Sequence, residues 1–218
     1  AMAQDRGGSD AIEAAIGNYE TAAQMQSLVP DLCDVSGESK ATLAMYGVDR
    51  SDDYDRFYAL QCLRARRMVE AGVRFVEITC PLTHANNAPW DQHGELKLRH
   101  EENARITDQP VAALIRDLKV RGLLDETLVL WAGEMGRTPH TGGGDGRDHH
   151  VSGYTIWMAG GGVKGGMTYG TTDEMGMSAV EDLARRPIST GFSKNYSGAP
   201  VTIMRLHGTT LSVNGRGV

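Results

Sequence analysis

Apolar positions recur at helical spacing from Asp10 onward: Ile12, Ala15, Ile16, Tyr19, Ala22 and Ala23. They predict a first helix, capped by Ser9 or Asp10, with Pro30 just beyond its end. Ser39 to Tyr46 predicts a short second helix stopped by Gly47. Asp52 to Ala71 predicts a long third one. Its stripe is Phe57, Leu60, Leu63, Arg64, Met68 and Val69, with Gly72 at its C-cap. Val73 to Thr79 is then β-rich and bounded by Pro81, which predicts a strand. Leu82 to Gln92 is polar, with His84, two asparagines and Pro89, and reads as the loop at that strand's C-terminal end. A helix from about Glu95 to Arg121, kinked at Pro110, carries the stripe Val111, Leu114, Ile115 and Leu118 and ends at Gly122. Thr127 to Ala132 and Tyr154 to Ala159 predict two more strands.

Helices and strands that alternate across short connections predict an α/β fold with a largely parallel, buried sheet. In such sheets function collects in loops beyond the carboxyl ends of strands. No internal repeat or low-complexity segment interrupts the pattern. The 218 residues suit one domain of ordinary size or a large piece of a bigger one, and 40% hydrophobic content is enough for a core. A net charge of −6 disfavours a nucleic-acid partner, since no basic run tracks a phosphate backbone. The local basic cluster, Arg64, Arg66 and Arg67, lies in a helical pattern and is expected to be a solvated face. Cys33, Cys62 and Cys80 are odd in number and widely spaced, against a disulfide framework or a thiolate zinc site. Cys62 and Cys80 are expected to be buried bystanders. No apolar run is long enough to span a membrane, and the opening residues AMAQDRGGSD do not read as a signal peptide.

The candidate chemistry falls in three short loops: Trp90-Asp91-Gln92-His93-Gly94, Gly133-Glu134-Met135-Gly136-Arg137-Thr138, and Gly146-Arg147-Asp148-His149-His150. His140 lies between the last two. Mixed carboxylates and imidazoles suit zinc, manganese or a similar ion. Glycines beside them allow tight turns and close backbone approach. A lone Asp-x-His in a loop is more often a turn with a surface histidine, Gly-Glu-x-Gly-Arg alone is a weaker signal still, and Asp148-His149-His150 also reads as a salt-linked surface loop. Their conjunction at strand ends is what points to a metal or anion site. The Arg137 and Arg147 guanidiniums match the tetrahedral oxygens of phosphate or sulfate, or else pair with neighbouring acids. The glycine-rich run from Ala159 to Gly166 lacks the spacing and the Lys-Ser/Thr ending of a phosphate loop. No Gly-x-Ser-x-Gly elbow is present. Thr138 and Ser152 are available hydroxyls, with nothing beside them to signal an activated nucleophile.

Several longer segments carry a resemblance: Asp34-Val35-Ser36-Gly37-Glu38, Tyr46-Gly47, Cys62-Leu63-x-Ala65-Arg66-Arg67, Gly72 to Val76, WDQHG from Trp90, RGLLDETLVLWAGEMGRTP from Arg121, GRDHH from Gly146 and AGGGVKGGMTYGTTDE from Ala159. From Tyr19 to Asp182 the chain resembles the bacterial family called domain of unknown function 1501. That resemblance implies the alkaline-phosphatase-like superfamily, with its phosphatases and sulfatases. The fold it implies is a mixed, mostly parallel sheet between helices, incomplete in this chain. It also implies divalent ions, with zinc, manganese and calcium all open. By motif Asp91 and His93 would supply one ligand group, Glu134 a second, and Asp148 with His149 a third. Asp91 and His93 stand closer together than in relatives, and Glu134 takes the place of an Asp-His pair.

The activity so implied is metal-dependent hydrolysis of sulfate or phosphate esters, on a small-molecule or glycan ester, with Arg137 and Arg147 stabilising charge on the equatorial oxygens. A catalytically incomplete metal- or sulfated-glycan-binding protein, or an inactive fragment, is the alternative. Relatives open on a strand that carries a metal-binding Asp and the nucleophile, whereas this chain opens on helices; an N-terminally truncated member is therefore expected. Residues 1–182 are expected to form the C-terminal part of the domain, and 183–218 a divergent, weakly structured tail, by frameshift or drift. Full-length relatives look exported, often with a twin-arginine-type signal.

Overall fold

The protein is described from a computed structural model, which covers residues 6–80, 90–133, 135–181, 201–205, 212–213 and 216–217. By its backbone contacts the chain divides into residues 1–37 and 38–218. The first unit is helix α1 (Arg6–Cys33). It begins before the expected caps and runs through Pro30. A proline near a helix end removes one backbone donor, and on this exposed stretch water can take up the carbonyl left without a partner. Ile12 and Tyr19 of the expected stripe are exposed.

In the second unit, α2 (Lys40–Tyr46) starts at Ser39, whose hydroxyl accepts from Thr42 N at 3.0 Å. It stops at Gly47, where φ is 82°, a left-handed conformation that glycine adopts without a Cβ clash. Helix α3 (Asp53–Glu70) is capped by Asp52, which accepts from the Tyr54 and Asp55 backbones. Its end carries paired bonds from Gly72 N to Val69 O and from Val73 N to Met68 O. Both helices thus begin and end where their cap residues predict.

The buried face of α3 differs from the expected stripe. It is Asp55, Tyr58, Ala59, Cys62, Leu63, Ala65, Arg66 and Val69, while Phe57 is half exposed. The spacing is helical, but two of the inward positions are charged, which an apolar count passes over. Arg66 is 2% exposed and so is not part of a solvated face. Its Nη2 donates to Glu38 and its Nη1 to Glu70, each at 2.6 Å, and its Nε lies 3.0 Å from Asp117. Asp117 also accepts from Tyr46 Oη at 3.0 Å and Arg121 Nε at 2.8 Å. Burial of these charges is tolerated because each anion has a cation and further donors.

Glu38 gives a pH prediction. Burial opposes its ionisation, but hydrogen bonds from Arg67 and Arg66 outweigh this and hold its carboxyl below the usual 4.5. A depressed folded-state pKa stabilises the fold above the unfolded value and is lost as pH falls through the folded value. Replacing Glu38 by glutamine is therefore expected to flatten the stability loss below about pH 4.5. Urea midpoints measured from pH 7 to pH 3 check this, and parallel curves for the two chains would refute it.

Strand β1 (Phe75–Ile78) turns Val76 and Ile78 inward and leaves Phe75 and Glu77 out. Helix α4 (Leu96–Val120) follows, continuous through Pro110, and packs Ile106, Val111, Leu114 and Leu118 into the core against α3 and α2. A full apolar burial of this kind contributes roughly 1.5–3 kcal/mol per side chain. Strand β2 (Thr127–Trp131) is buried over its first four residues. Strands β3 (Gly136–Arg137) and β4 (His149–His150) form a small hairpin, followed by β5 (Trp157–Gly160). Strands β6 (Thr171–Thr172) and β7 (Ala179–Glu181) form another.

The main sheet has the order β1, β8 (Val201–Arg205), β2, β5, and every neighbouring pair in it is antiparallel. This corrects the parallel sheet expected above. Strands β1 and β2 do run in one direction, as the crossover through α4 requires. They are not neighbours, because β8 lies between them with Val76 and Val129 both opposite Ile203. The helix–strand alternation carries strand direction but not adjacency. Within the expected tail, β8 and the short pair β9 (Ser212–Val213) and β10 (Arg216–Gly217) are strands; its other residues lie outside those described. The order of elements leaves the segments after β1 and β2 free to build a site.

Candidate metal centre

The segment before α4 is anchored by aromatic and amide contacts. Trp90 donates from Nε1 to Cys80 Sγ at 3.3 Å and meets Trp131 and His100 edge to face, with centroids 6.0 and 5.3 Å apart. Trp90 (φ 69°) and Glu95 (φ 51°) bracket the segment with positive φ. Such backbone costs about 1–3 kcal/mol per residue and persists where its surroundings impose it. Between them, His93 N donates to Asp91 O at 3.1 Å. This closes a three-residue turn with Gln92 at its apex. Gln92 is 1% exposed. With its amide oriented by its neighbours, it donates to Trp90 O (3.2 Å) and His100 Nδ1 (3.0 Å) and accepts from Asn103 Nδ2 (2.7 Å) and Trp90 N (2.9 Å). His100 is held below its usual pKa, first by burial, which disfavours the charged ring.

The second component is the β3–β4 hairpin. Its register sets Arg137 opposite His149 and Gly136 opposite His150. Thr138 N donates to Asp148 O at 3.0 Å, and Thr138 Oγ1 accepts from Asp148 N at 3.1 Å while donating to His140 O at 2.7 Å. The two components meet at Gly146 and Arg147. Arg147 N donates to Gln92 O at 2.9 Å. A Cβ on Gly146 would lie 2.0 Å from the His93 carbonyl carbon, so only glycine permits this approach.

Three side chains converge across that contact. His149 Nε2 lies 2.9 Å and His93 Nε2 3.2 Å from Asp91 Oδ1, and the two ring nitrogens are 3.3 Å apart. One ligand atom from each of Asp91, His93 and His149 falls within 4.8 Å of the others. Asp148 Oδ1 stands behind His93, 3.3 Å from its Nδ1. The Arg137 guanidinium pairs with Asp91 Oδ1 and donates to Arg147 O at 3.4 Å. Burial opposes ionisation of Asp91, but hydrogen bonds from Arg137 and His149 outweigh it and hold the carboxyl below its usual range. The group is therefore a carboxylate at neutral pH.

Of the residues expected from the sequence, Asp91, His93 and His149 are brought together as possible ligands. Asp148 touches His93 from the far side, in the place of a group that orients a ligand. Arg137 sits against Asp91. Arg147 contributes its backbone, and its guanidinium donates to Gly146 O at 2.8 Å. Glu134 lies outside the described residues. Among the described residues, no helix is long and apolar enough to cross a membrane.

The family model for proteins of unknown function, DUF1501, matches residues 1–187. The chain belongs to that family. No curated protein and no solved structure matches the chain. In this DUF1501 chain the residue pattern marked Gly146 as a glycine that allows close backbone approach and Thr138 as an available hydroxyl, but it gave Gln92 no role. The available signal was position: Gln92 stands between two candidate ligands.

Proposed function

We propose that this DUF1501 chain carries ligands of a divalent-metal centre in a hydrolase of sulfate or phosphate esters, of the alkaline-phosphatase-like kind. The observation that supports this reading is the convergence of Asp91 Oδ1, His93 Nε2 and His149 Nε2 within 4.8 Å. The donor set fits the ion. Two imidazole nitrogens and a carboxylate oxygen are ligands that zinc and manganese accept, and three protein ligands leave positions open for substrate. Asp148 accepts from His93 Nδ1, which selects the tautomer whose Nε2 lone pair faces the cluster. An ion held there supplies polarisation of the ester oxygen and a lowered pKa for the attacking group.

Arg137 would neutralise charge on the ester's equatorial oxygens from its place beside Asp91. A second reading, a metal- or sulfated-glycan-binding protein without turnover, has one observation in its favour. Thr138 Oγ1, an available hydroxyl in the hairpin that carries His149, is already engaged as donor to His140 O and acceptor from Asp148 N.

The test is metal content by plasma mass spectrometry on the purified chain and on the His93→Ala, His149→Ala double variant. The expected result is a bound divalent ion in the parent chain and at least tenfold less in the variant. A folded chain without metal after incubation with zinc and manganese overturns the centre. Hydrolysis of 4-nitrophenyl sulfate or phosphate by the loaded chain, lost in the variant, separates the hydrolase from the binding protein.

A further inference from the structure

We propose that Gln92 is a positioning residue that holds Asp91 and His93 in register with His149, an inference that rests on the metal reading above. Three observations converge on it. Gln92 lies at the apex of the turn closed by the bond from His93 N to Asp91 O, so its orientation sets both flanking side chains at once. Its own side chain is 1% exposed and makes four hydrogen bonds, to Trp90, His100 and Asn103. An amide has two donors and two acceptor positions, and all are used. Two of these partners, His100 and Asn103, belong to α4, whose inner face packs in the core. The turn is thereby tied to a rigid element.

The third observation is the Gln92 carbonyl, which accepts from Arg147 N at 2.9 Å, two residues before His149. Its side chain therefore locks one ligand turn to α4, and its backbone docks the other loop. A ligand set held by loops depends on such supports, and removing a support of this kind costs about 10–100-fold in metal affinity. Leucine at this position would keep the volume and leave the buried groups around it without partners.

The experiment is titration of the whole chain with cobalt(II), read by its visible ligand-field bands, on the parent chain, Gln92→Leu and His100→Ala. Thermal unfolding is measured in parallel. The expected result is a cobalt affinity about 10–100-fold lower for Gln92→Leu, with altered bands, in a chain that retains its helical circular dichroism. His100→Ala, which removes one of the four bonds, is expected to show a smaller loss in the same direction. Bands and affinity unchanged in a folded Gln92→Leu chain would overturn the inference while leaving the metal centre standing. Should Gln92→Leu fail to fold, His100→Ala decides: unchanged bands and affinity in that folded chain overturn it. A parent chain that binds no cobalt overturns the metal reading itself and this inference with it.

Discussion

On the metal centre proposed above, Gly146→Ala is expected to abolish ion binding, and in any case to lower the melting temperature by roughly 2–10 °C. The added Cβ would lie 2.0 Å from His93 C, 2.1 Å from His93 O and 2.5 Å from Gly94 N. All three are backbone atoms, so no side-chain rotation relieves the overlap. The loop of His149 must move away from the turn of Asp91 and His93. The bond from Arg147 N to Gln92 O breaks with that movement, and the three ligand atoms lose their common centre. Gly142→Ala is the matched comparison. Its Cβ would meet Asp148 Oδ2 at 2.6 Å, the end of an exposed side chain that can rotate aside. Because Asp148 also holds His93 Nδ1, that variant is expected to bind the proposed ion about 10–100-fold more weakly, without losing it, and to lose less than about 1 kcal/mol of stability. Zinc content and melting curves of both chains check the pair. Full metal occupancy in Gly146→Ala would show that the two loops do not meet as described.

Arg66→Ala is expected to destabilise the protein by about 3–5 kcal/mol, the cost of leaving buried charges without their partner. The Glu38 and Asp117 side chains are 9% and 8% exposed, and Arg66 contacts both. Removing it takes one cation from each of two buried carboxylates, Glu38 and Asp117. Arg67 still reaches Glu38, and Arg121 and Tyr46 still reach Asp117, which keeps the loss near the lower end of that range. Arg56→Ala is the control. Its pair with Asp53 sits at the surface, where an ion pair contributes about 0.2–1 kcal/mol. Urea unfolding of the three chains at pH 7 compares them, and equal midpoints for Arg66→Ala and Arg56→Ala would contradict the buried network.

The contrast between these arginines marks a limit of the sequence pattern. Arg64, Arg66 and Arg67 read alike as a basic run on a helix. Only the approach of Glu38 and Asp117, from 28 and 51 positions away, separates the buried one from the rest. Phe57 shows the converse, an apolar residue at a plausible stripe position that points outward because Asp55 and Arg66 pull the buried face round. In the candidate site, Asp91, His93 and His149 stood out only through the conjunction of three acid-containing loops at strand ends, since no one cluster is distinctive alone. Their separate roles were not legible: whether Asp148 or His149 faces the cluster depends on a strand register of one residue.

What the sequence determined alone was local. Ser39 and Asp52 begin their helices, Gly47 ends the first, and the β-rich run from Val73 to Thr79 contains β1. These follow from backbone hydrogen bonding and side-chain period within a few residues, which the neighbouring chain specifies. The tertiary structure decided the rest. It placed β8 between β1 and β2, so that two strands running in one direction are not neighbours. It brought together a turn and a hairpin more than 50 residues apart at the contact between Gly146 and His93. Strand adjacency and ligand convergence depend on which distant surfaces bury each other. That is a property of the packed whole, which no local run of residues encodes.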